Sequence, residues 1–280
     1  STWKGDRSAL LYFFSSTSYL HALILNTNNV GGKDQNRKRL GLKKMTSEKK
    51  IKYIPEKDRT KLFNSLRNTS GGYWHDVGVM IFSVMYFTGI RPIEITQSTV
   101  INIHNDAGKL VSALRVKNAK NTNGRGNGEF RTIPLDKHNE DFINGIRQFL
   151  ESASFPRLAN GHSTTPENYV KKASEAFGKH IRKIFPKRKN HICLYSARHQ
   201  FAADAKRSGI RQTEVAALLG HACDRTAYIH YAKSSRSSST KRIPKALRSE
   251  VATVRKKLSK AFLKNKKIST NRPSFPTMGR

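Results

Sequence analysis

The sequence predicts a mainly α-helical chain carrying one small antiparallel β-sheet, an α+β arrangement, on three observations. Apolar or amphipathic stretches with helix starts and stops lie on both sides of residues 98–135. That central block instead alternates β-branched and polar residues between turn-rich loops. The stretch from Leu194 to Lys233 reads as three short helices punctuated by Gly209 and Gly220.

At 280 residues, 36% of them hydrophobic, the chain can bury a core, though a lean one. Lys and Arg number 53 against 19 acids, for a formal charge of +34. Such an excess calls for a polyanionic partner, and double-stranded DNA leads because counterion release from phosphates supplies most non-specific affinity. An anionic membrane is the rival. The apolar stretch Ala9 to Leu25, however, is interrupted by Ser15, Ser16, Thr17, Ser18 and His21, as suits a core helix better than a span. No basic-then-apolar signal opens the chain, which begins with Ser, so an earlier N-terminus is expected. Cys193 and Cys223 point to a reducing compartment. Each ends a His-x-Cys (His191/Cys193, His221/Cys223), a spacing tighter than that of common zinc turns, so small buried thiols are expected and no metal or cofactor.

In chain order, residues 1–50 hold one helix, about Asp6 to Leu25, and the basic linker NTNNVGGKDQNRKRLGLKK. This is too little for an independent core. A second unit, 51–240, begins with YIPEKDRTKLFNSL, a helix with Pro55 in its first turn and acids following. YWHDVGVMIFSVMYFTG, apolar nearly all round, is a buried helix ended by Gly89. STVINIHN, KLVSALRVKN and EFRTIPLD form a three-stranded meander whose second connection, NAKNTNGRGNG, is long, basic and glycine-rich. Helices resume at Asn139–Glu151 and Pro166–Phe185. Ser196 caps the next, Gly209 ends it in a left-handed turn, and Val215, Leu218 and Leu219 mark a second helix closed by Gly220. Asp224 caps a third, which bears Tyr228 and Tyr231. Residues 241–280 form a basic helix and a Pro/Ser/Arg tail.

Candidate chemistry gathers at four places. In TGIRPIEI, Pro92 suits the first position of a new helix, which sets Arg91 at a helix N-terminus where backbone N–H groups favour an anion. The plainer reading is an Arg91–Glu94 surface pair. Arg198 opens its own helix, and two planar guanidinium forks can clamp one phosphate; taken alone it is equally a tie to a carbonyl. Lys117, Lys120 and Arg125 lie at the hairpin tip, as phosphate contacts or as a general acid whose pKa neighbouring arginines lower. His221 follows a helix-ending glycine, either donating to a phosphate or capping carbonyls.

Together TGIRPIEI, YSARHQFA, LLGH and the tyrosine in HYAK resemble, in order and separation, the boxes of the tyrosine site-specific recombinases of the phage-integrase family. The similarity covers about Ile51 to Ser235, and the preceding helix resembles the end of that family's core-binding domain. The resemblance implies a recombinase-like catalytic domain after a partial helical core-binding segment. Arg91 and Arg198 are then the phosphate clamp, His221 the box-three histidine, and Lys120 the hairpin lysine, with Lys117 the weaker match. Tyr195 stands where the family has His; a phenol hydrogen-bonds a phosphate or the nucleophile but accepts a proton poorly at neutral pH. Tyr228 and Tyr231 flank the family's spacing for the nucleophile, and the frame TAYIHYAK favours Tyr231, leaving Tyr228 to pack.

The resemblance further implies a 3′-phosphotyrosine intermediate, strand exchange without metal or ATP, and integration or excision of a mobile element. A homotetramer on two duplexes in the bacterial cytoplasm, at the nucleoid, is expected, with the helix after Lys241 packing on a neighbour or lying along DNA. Two rivals share some of these features. RQTEVAALLGHACDRTAYIHY also resembles a helix-turn-helix regulator, and a type IB topoisomerase-like enzyme would share the chemistry.

Overall fold

The computed structural model describes residues 51–119, 127–152, 165–226 and 243–256. The expectations for the helix within 1–50, for Lys120 and Arg125, for Tyr228 and Tyr231, and for the C-terminal tail lie outside these residues.

Among the described residues the fold is mostly helical, with one three-stranded antiparallel sheet in the order β1-β2-β3. Helix α1 (Glu56–Asn68) follows Pro55, whose fixed φ suits a helix entrance, and carries Glu56 and Asp58 in its first turn, where the helix dipole favours negative charge. It buries Leu62 and Leu66, and Asp58 pairs with Arg188 beyond the fourth helix. Helix α2 (Tyr73–Thr88) is the central element, with Ile81, Phe82, Val84 and Met85 fully buried. Its all-round apolarity is satisfied because it packs against helices α4 (Pro166–Ile184) and α5 (Leu194–Arg207) at once. Gly78 permits the α4 contact: a Cβ there would stand 2.6 Å from the Ala173 carbonyl oxygen.

Gly89 ends α2 in the left-handed region at φ 71°, its N–H donating to the Met85 carbonyl. The element that follows is a six-residue 3₁₀-helix, Pro92–Gln97, with Pro92 in its first position as expected, and strand β1 takes over at Ser98. Strands β1 (Ser98–His104), β2 (Leu110–Lys117) and β3 (Phe130–Pro134) pair as a meander, Ile101 opposite Ala113 and Leu114 opposite Ile133. Between β1 and β2 the Asn105 side chain accepts from the Ala107 and Lys109 N–H groups at 3.0 and 3.1 Å, and Gly108 supplies a positive φ.

Helix α3 (Glu140–Ser152) buries Ile143 and Ile146, and Thr165 caps α4 by accepting from the Asn168 N–H at 3.3 Å. α5 differs from expectation at its start. Ser196 lies inside the first turn, where its Oγ accepts from the Cys193 N–H at 3.0 Å and donates to the Ile51 carbonyl at 2.6 Å. The serine therefore satisfies one orphan N–H of the helix end and fastens residue 51 to it. Gly209 and Gly220 are left-handed as expected, on either side of α6 (Gln212–Leu218). Asp224 precedes the helical residues 225 and 226.

Two further expectations are corrected. Cys193 and Cys223 are half-buried rather than buried. The basic segment after Lys241 is not helical from its start: 243–247 run without regular structure before the short helix α7 (Arg248–Ala252). The reason is tertiary. Glu250 accepts the Thr132 N–H of β3 at 2.8 Å, and the Arg255 N–H donates to the Ala222 carbonyl at 3.0 Å. The segment is thus tied both to the sheet and to the turn after α6. No helix among the described residues is long and apolar enough to cross a membrane.

Candidate active site

Three chain turns meet beside the C-terminal end of α2. The first is Gly89–Glu94, the second the opening of α5, the third the Leu218–His221 turn after α6. Gly89 brings the first two together, since a Cβ on it would lie 2.2 Å from a Phe201 ring carbon of α5. Glycine is therefore required twice, for its positive φ and for the close approach.

Arg198 is fully buried and joins all three turns. Its Nη1 donates to the Gly89 carbonyl, and its Nη2 donates to the Leu219 carbonyl at 2.8 Å and lies 3.2 Å from His221 Nε2. The carbonyl-tie reading of Arg198 thus describes what the side chain does in this state. Because a guanidinium only donates, His221 Nε2 is the acceptor of that contact. His221 is 3% exposed. Its pKa is pushed far below the usual histidine range by burial first and then by the charges of Arg198, Arg91 and Arg131, so the ring is neutral at pH 7.

Arg91 forms the expected pair with Glu94, but a buried one. Glu94 is 1% exposed and takes four N–H groups. Its Oε1 accepts from Arg91 Nη1 at 2.5 Å and from the Ala119 N–H at 3.2 Å. Its Oε2 accepts from the Arg91 backbone N–H and from Arg131 Nη2, both at 2.7 Å. Burial would raise this carboxyl, yet Arg131, Arg91 and Arg198 together hold it well below the ordinary carboxylate range. The remaining guanidinium N–H groups of Arg91 have no hydrogen-bond partner among the described residues. One buried carboxylate thus faces several guanidinium groups, and the surplus of charge is positive.

Tyr195 is 43% exposed, in the first turn of α5. It lines a cleft of about 390 Å³ with Pro92, Ile93 and Val170. It therefore borders the first turn from outside instead of joining the buried cluster. Lys117 is half exposed and pairs with Glu129 at 3.7 Å. The structure brings together Arg91, Arg198 and His221; Lys120 and Tyr231 lie outside the described residues.

Sequence reasoning missed Arg131 and Asn118, both buried, and took Glu94 only as a surface partner. One signal was present. Arg131 and Ile133 alternate on the inward face of β3, and a charge at an inward strand position implies a buried counter-charge. Among the described residues, no group of three or more His, Cys, Asp and Glu is arranged to hold a metal ion.

No protein-family model and no curated protein matches the chain. Several solved structures are similar in fold. The XerH site-specific recombinase bound to palindromic difH substrate, in a post-cleavage complex, shares 16% identity over 68% of this chain, with a TM-score of 0.43. A protelomerase, tela, covalently complexed with substrate DNA shares 16% identity over 66% of this chain and 61% of its own, with a TM-score of 0.46. A lambda integrase dimer bound to a COC′ core site shares 13% over 84% of this chain and 66% of its own, with a TM-score of 0.44. The chain spans about half the length of the XerH chain, 52%.

Proposed function

We propose that the protein is a DNA strand transferase of the tyrosine recombinase type, cutting and rejoining DNA for integration or excision of a mobile element. The observation that carries this reading is the convergence of Arg91, Arg198 and His221, from three separate turns, on one buried and positively charged point. An electropositive chain with a formal charge of +34 suits the polyanionic substrate.

In this reading the scissile phosphate sits against the uncommitted N–H groups of Arg91 and the Arg198 guanidinium. These groups stabilise the charge that grows on the non-bridging oxygens in the transition state. His221 stays neutral among the arginines, and once its single ring proton sits on Nε2 instead of Nδ1 that nitrogen donates to the phosphate. The Tyr231 hydroxyl gives up its proton to solvent, its oxygen attacks phosphorus and the bond to the 5′ oxygen breaks, leaving a 3′-phosphotyrosine. Lys120 supplies the proton to the departing 5′ oxygen. Tyr195, at the rim, hydrogen-bonds the phosphate or the nucleophile. The phosphoester is conserved in the protein–DNA bond, so attack by a 5′-hydroxyl reseals the strand without ATP, and no step requires a metal. Two such exchanges on two duplexes call for a homotetramer, and the protein is expected at bacterial DNA in the cytoplasm.

The test is a nicked suicide duplex that loses its 5′-hydroxyl fragment on cleavage. A protein–DNA band that survives SDS is expected, absent with Tyr231→Phe. Its persistence there and loss with Tyr228→Phe moves the nucleophile to Tyr228. Absence of any adduct over a library of candidate sites rejects the enzyme.

A further inference from the structure

Arg131 stands outside every motif that pointed to the site, yet its buried guanidinium ties three separate segments together. It is 1% exposed, on β3. Its Nε donates to the Leu218 carbonyl at 3.0 Å, its Nη2 to Glu94 Oε2 at 2.7 Å, and its Nη1 to Asn118 Oδ1. The three acceptors belong to the turn that carries His221, the turn that carries Arg91, and the end of β2. Asn118 is itself clamped, its Nδ2 donating to the Asn127 and Gly128 carbonyls at 3.2 and 2.9 Å. Gly220 leaves room for this junction: a Cβ there would meet Asn118 Oδ1 at 2.6 Å and Arg131 Nη1 at 2.7 Å.

We propose that Arg131, seated by Asn118, is a positioning residue that sets how Arg91 meets the scissile phosphate. The inference rests on the strand-transfer reading. Glu94 has two oxygens and two arginines to serve. Without Arg131, both oxygens turn to Arg91, which gains a bidentate pair and withdraws its N–H groups from the substrate. With Arg131 holding Oε2, Arg91 is tied through one nitrogen of its guanidinium and keeps the others for an anion. The same guanidinium locks the Leu218 carbonyl, so the His221 turn and the Arg91 turn keep one spacing. A lysine at this position has no planar fork and cannot serve three acceptors on three segments.

The test uses Arg131→Lys, which keeps the charge, and Asn118→Ala, which keeps both arginines. Circular dichroism and DNA affinity report folding and binding, and both are expected to stay within about twofold of wild type because neither side chain reaches the surface. Adduct formation on the suicide duplex is expected to fall about tenfold or more for Arg131→Lys, and less for Asn118→Ala. The discriminating substrate carries a methylphosphonate at the scissile position, which removes the non-bridging charge that Arg91 neutralises. There the deficit is expected to shrink to under about threefold, and that of Arg91→Ala is expected to shrink in the same way.

A deficit of equal size on both substrates, or wild-type rates from both variants, overturns the inference. If Arg131→Lys fails to fold, Asn118→Ala carries the same comparison. A wild-type protein that forms no adduct on either substrate rejects the strand-transfer reading and this inference with it; a normal wild-type adduct with unaffected variants rejects this inference alone.

Discussion

Replacing Glu94 by Gln probes the charge balance of the site directly. The carboxylate accepts four N–H groups, two from Arg91, one from Arg131 and one from Ala119. Glutamine keeps one acceptor oxygen and turns an NH2 group towards donors. Arg91, Arg131 and Arg198, each no more than 6% exposed, then stand together without a counter-charge. Removing one partner of a buried ion pair costs about 3–5 kcal/mol, and the retained oxygen places Glu94→Gln near the lower end, about 3 kcal/mol. For a domain of this size that corresponds to a fall in Tm of roughly 6–12 °C.

Urea unfolding of the full chain in chloride buffer measures the loss, and repeating it in sulfate separates two explanations. Sulfate stabilises most proteins by exclusion, so wild type and variant both gain. If loss of the carboxylate makes the pocket a stronger anion site than the wild-type one, the variant gains more, and the gap narrows by more than about 1 kcal/mol through binding linkage. A loss below about 1 kcal/mol, or an equal sulfate effect on both proteins, refutes the claim that this carboxylate holds an otherwise anion-seeking cluster.

Gly89→Ala is expected to lose about 2–4 kcal/mol by thermal or urea unfolding, from a side chain at positive φ and from the clash with Phe201. It is also expected to slow adduct formation, because the displaced ring lies on the helix that carries Arg198. Stability is expected to fall as pH drops below about 6.5. His199 is held down to about 4 by burial first and then by Lys52, Arg198 and Lys206, and His221 lies lower still. The folded chain therefore binds fewer protons than the unfolded chain below the ordinary histidine pKa, and the associated stability is present above 6.5 and lost towards 4. Glu94, whose pKa is depressed, costs stability only below its unfolded value of 4.5. Melting temperature against pH checks the window, and His199→Gln is expected to flatten the slope between 6.5 and 4.

Much of the fold was legible because its signals are local. Helix α2 announces itself by sixteen residues that are apolar on nearly every side and by a glycine that must stop it. The meander follows from β-branched alternation, and α4 from Thr165 and Pro166 at its mouth. The boxes around Arg91, Arg198 and His221 were visible for the same reason, as short runs whose turn residues and charges sit side by side. The C-terminal segment was misread because its composition favours a helix while its partners, Thr132 and Ala222, lie far back in the chain. Ser196 was misassigned by three positions because an N-cap and an N3 serine differ only in which N–H they face.

The amino-acid sequence alone determined the main helices and the three strands among the described residues, and that an excess of positive charge seeks a polyanion. Propensity, periodicity and turn chemistry act over a few residues, so a linear reading recovers them. Only the tertiary structure decided that Glu94 is shared between Arg91 and Arg131, that Arg198 fastens Gly89 to Leu219, and that Arg131 reaches the Leu218 carbonyl 87 residues away. Such contacts depend on how packed helices and strands bring distant turns to one point, and no spacing along the chain encodes which buried charge meets which.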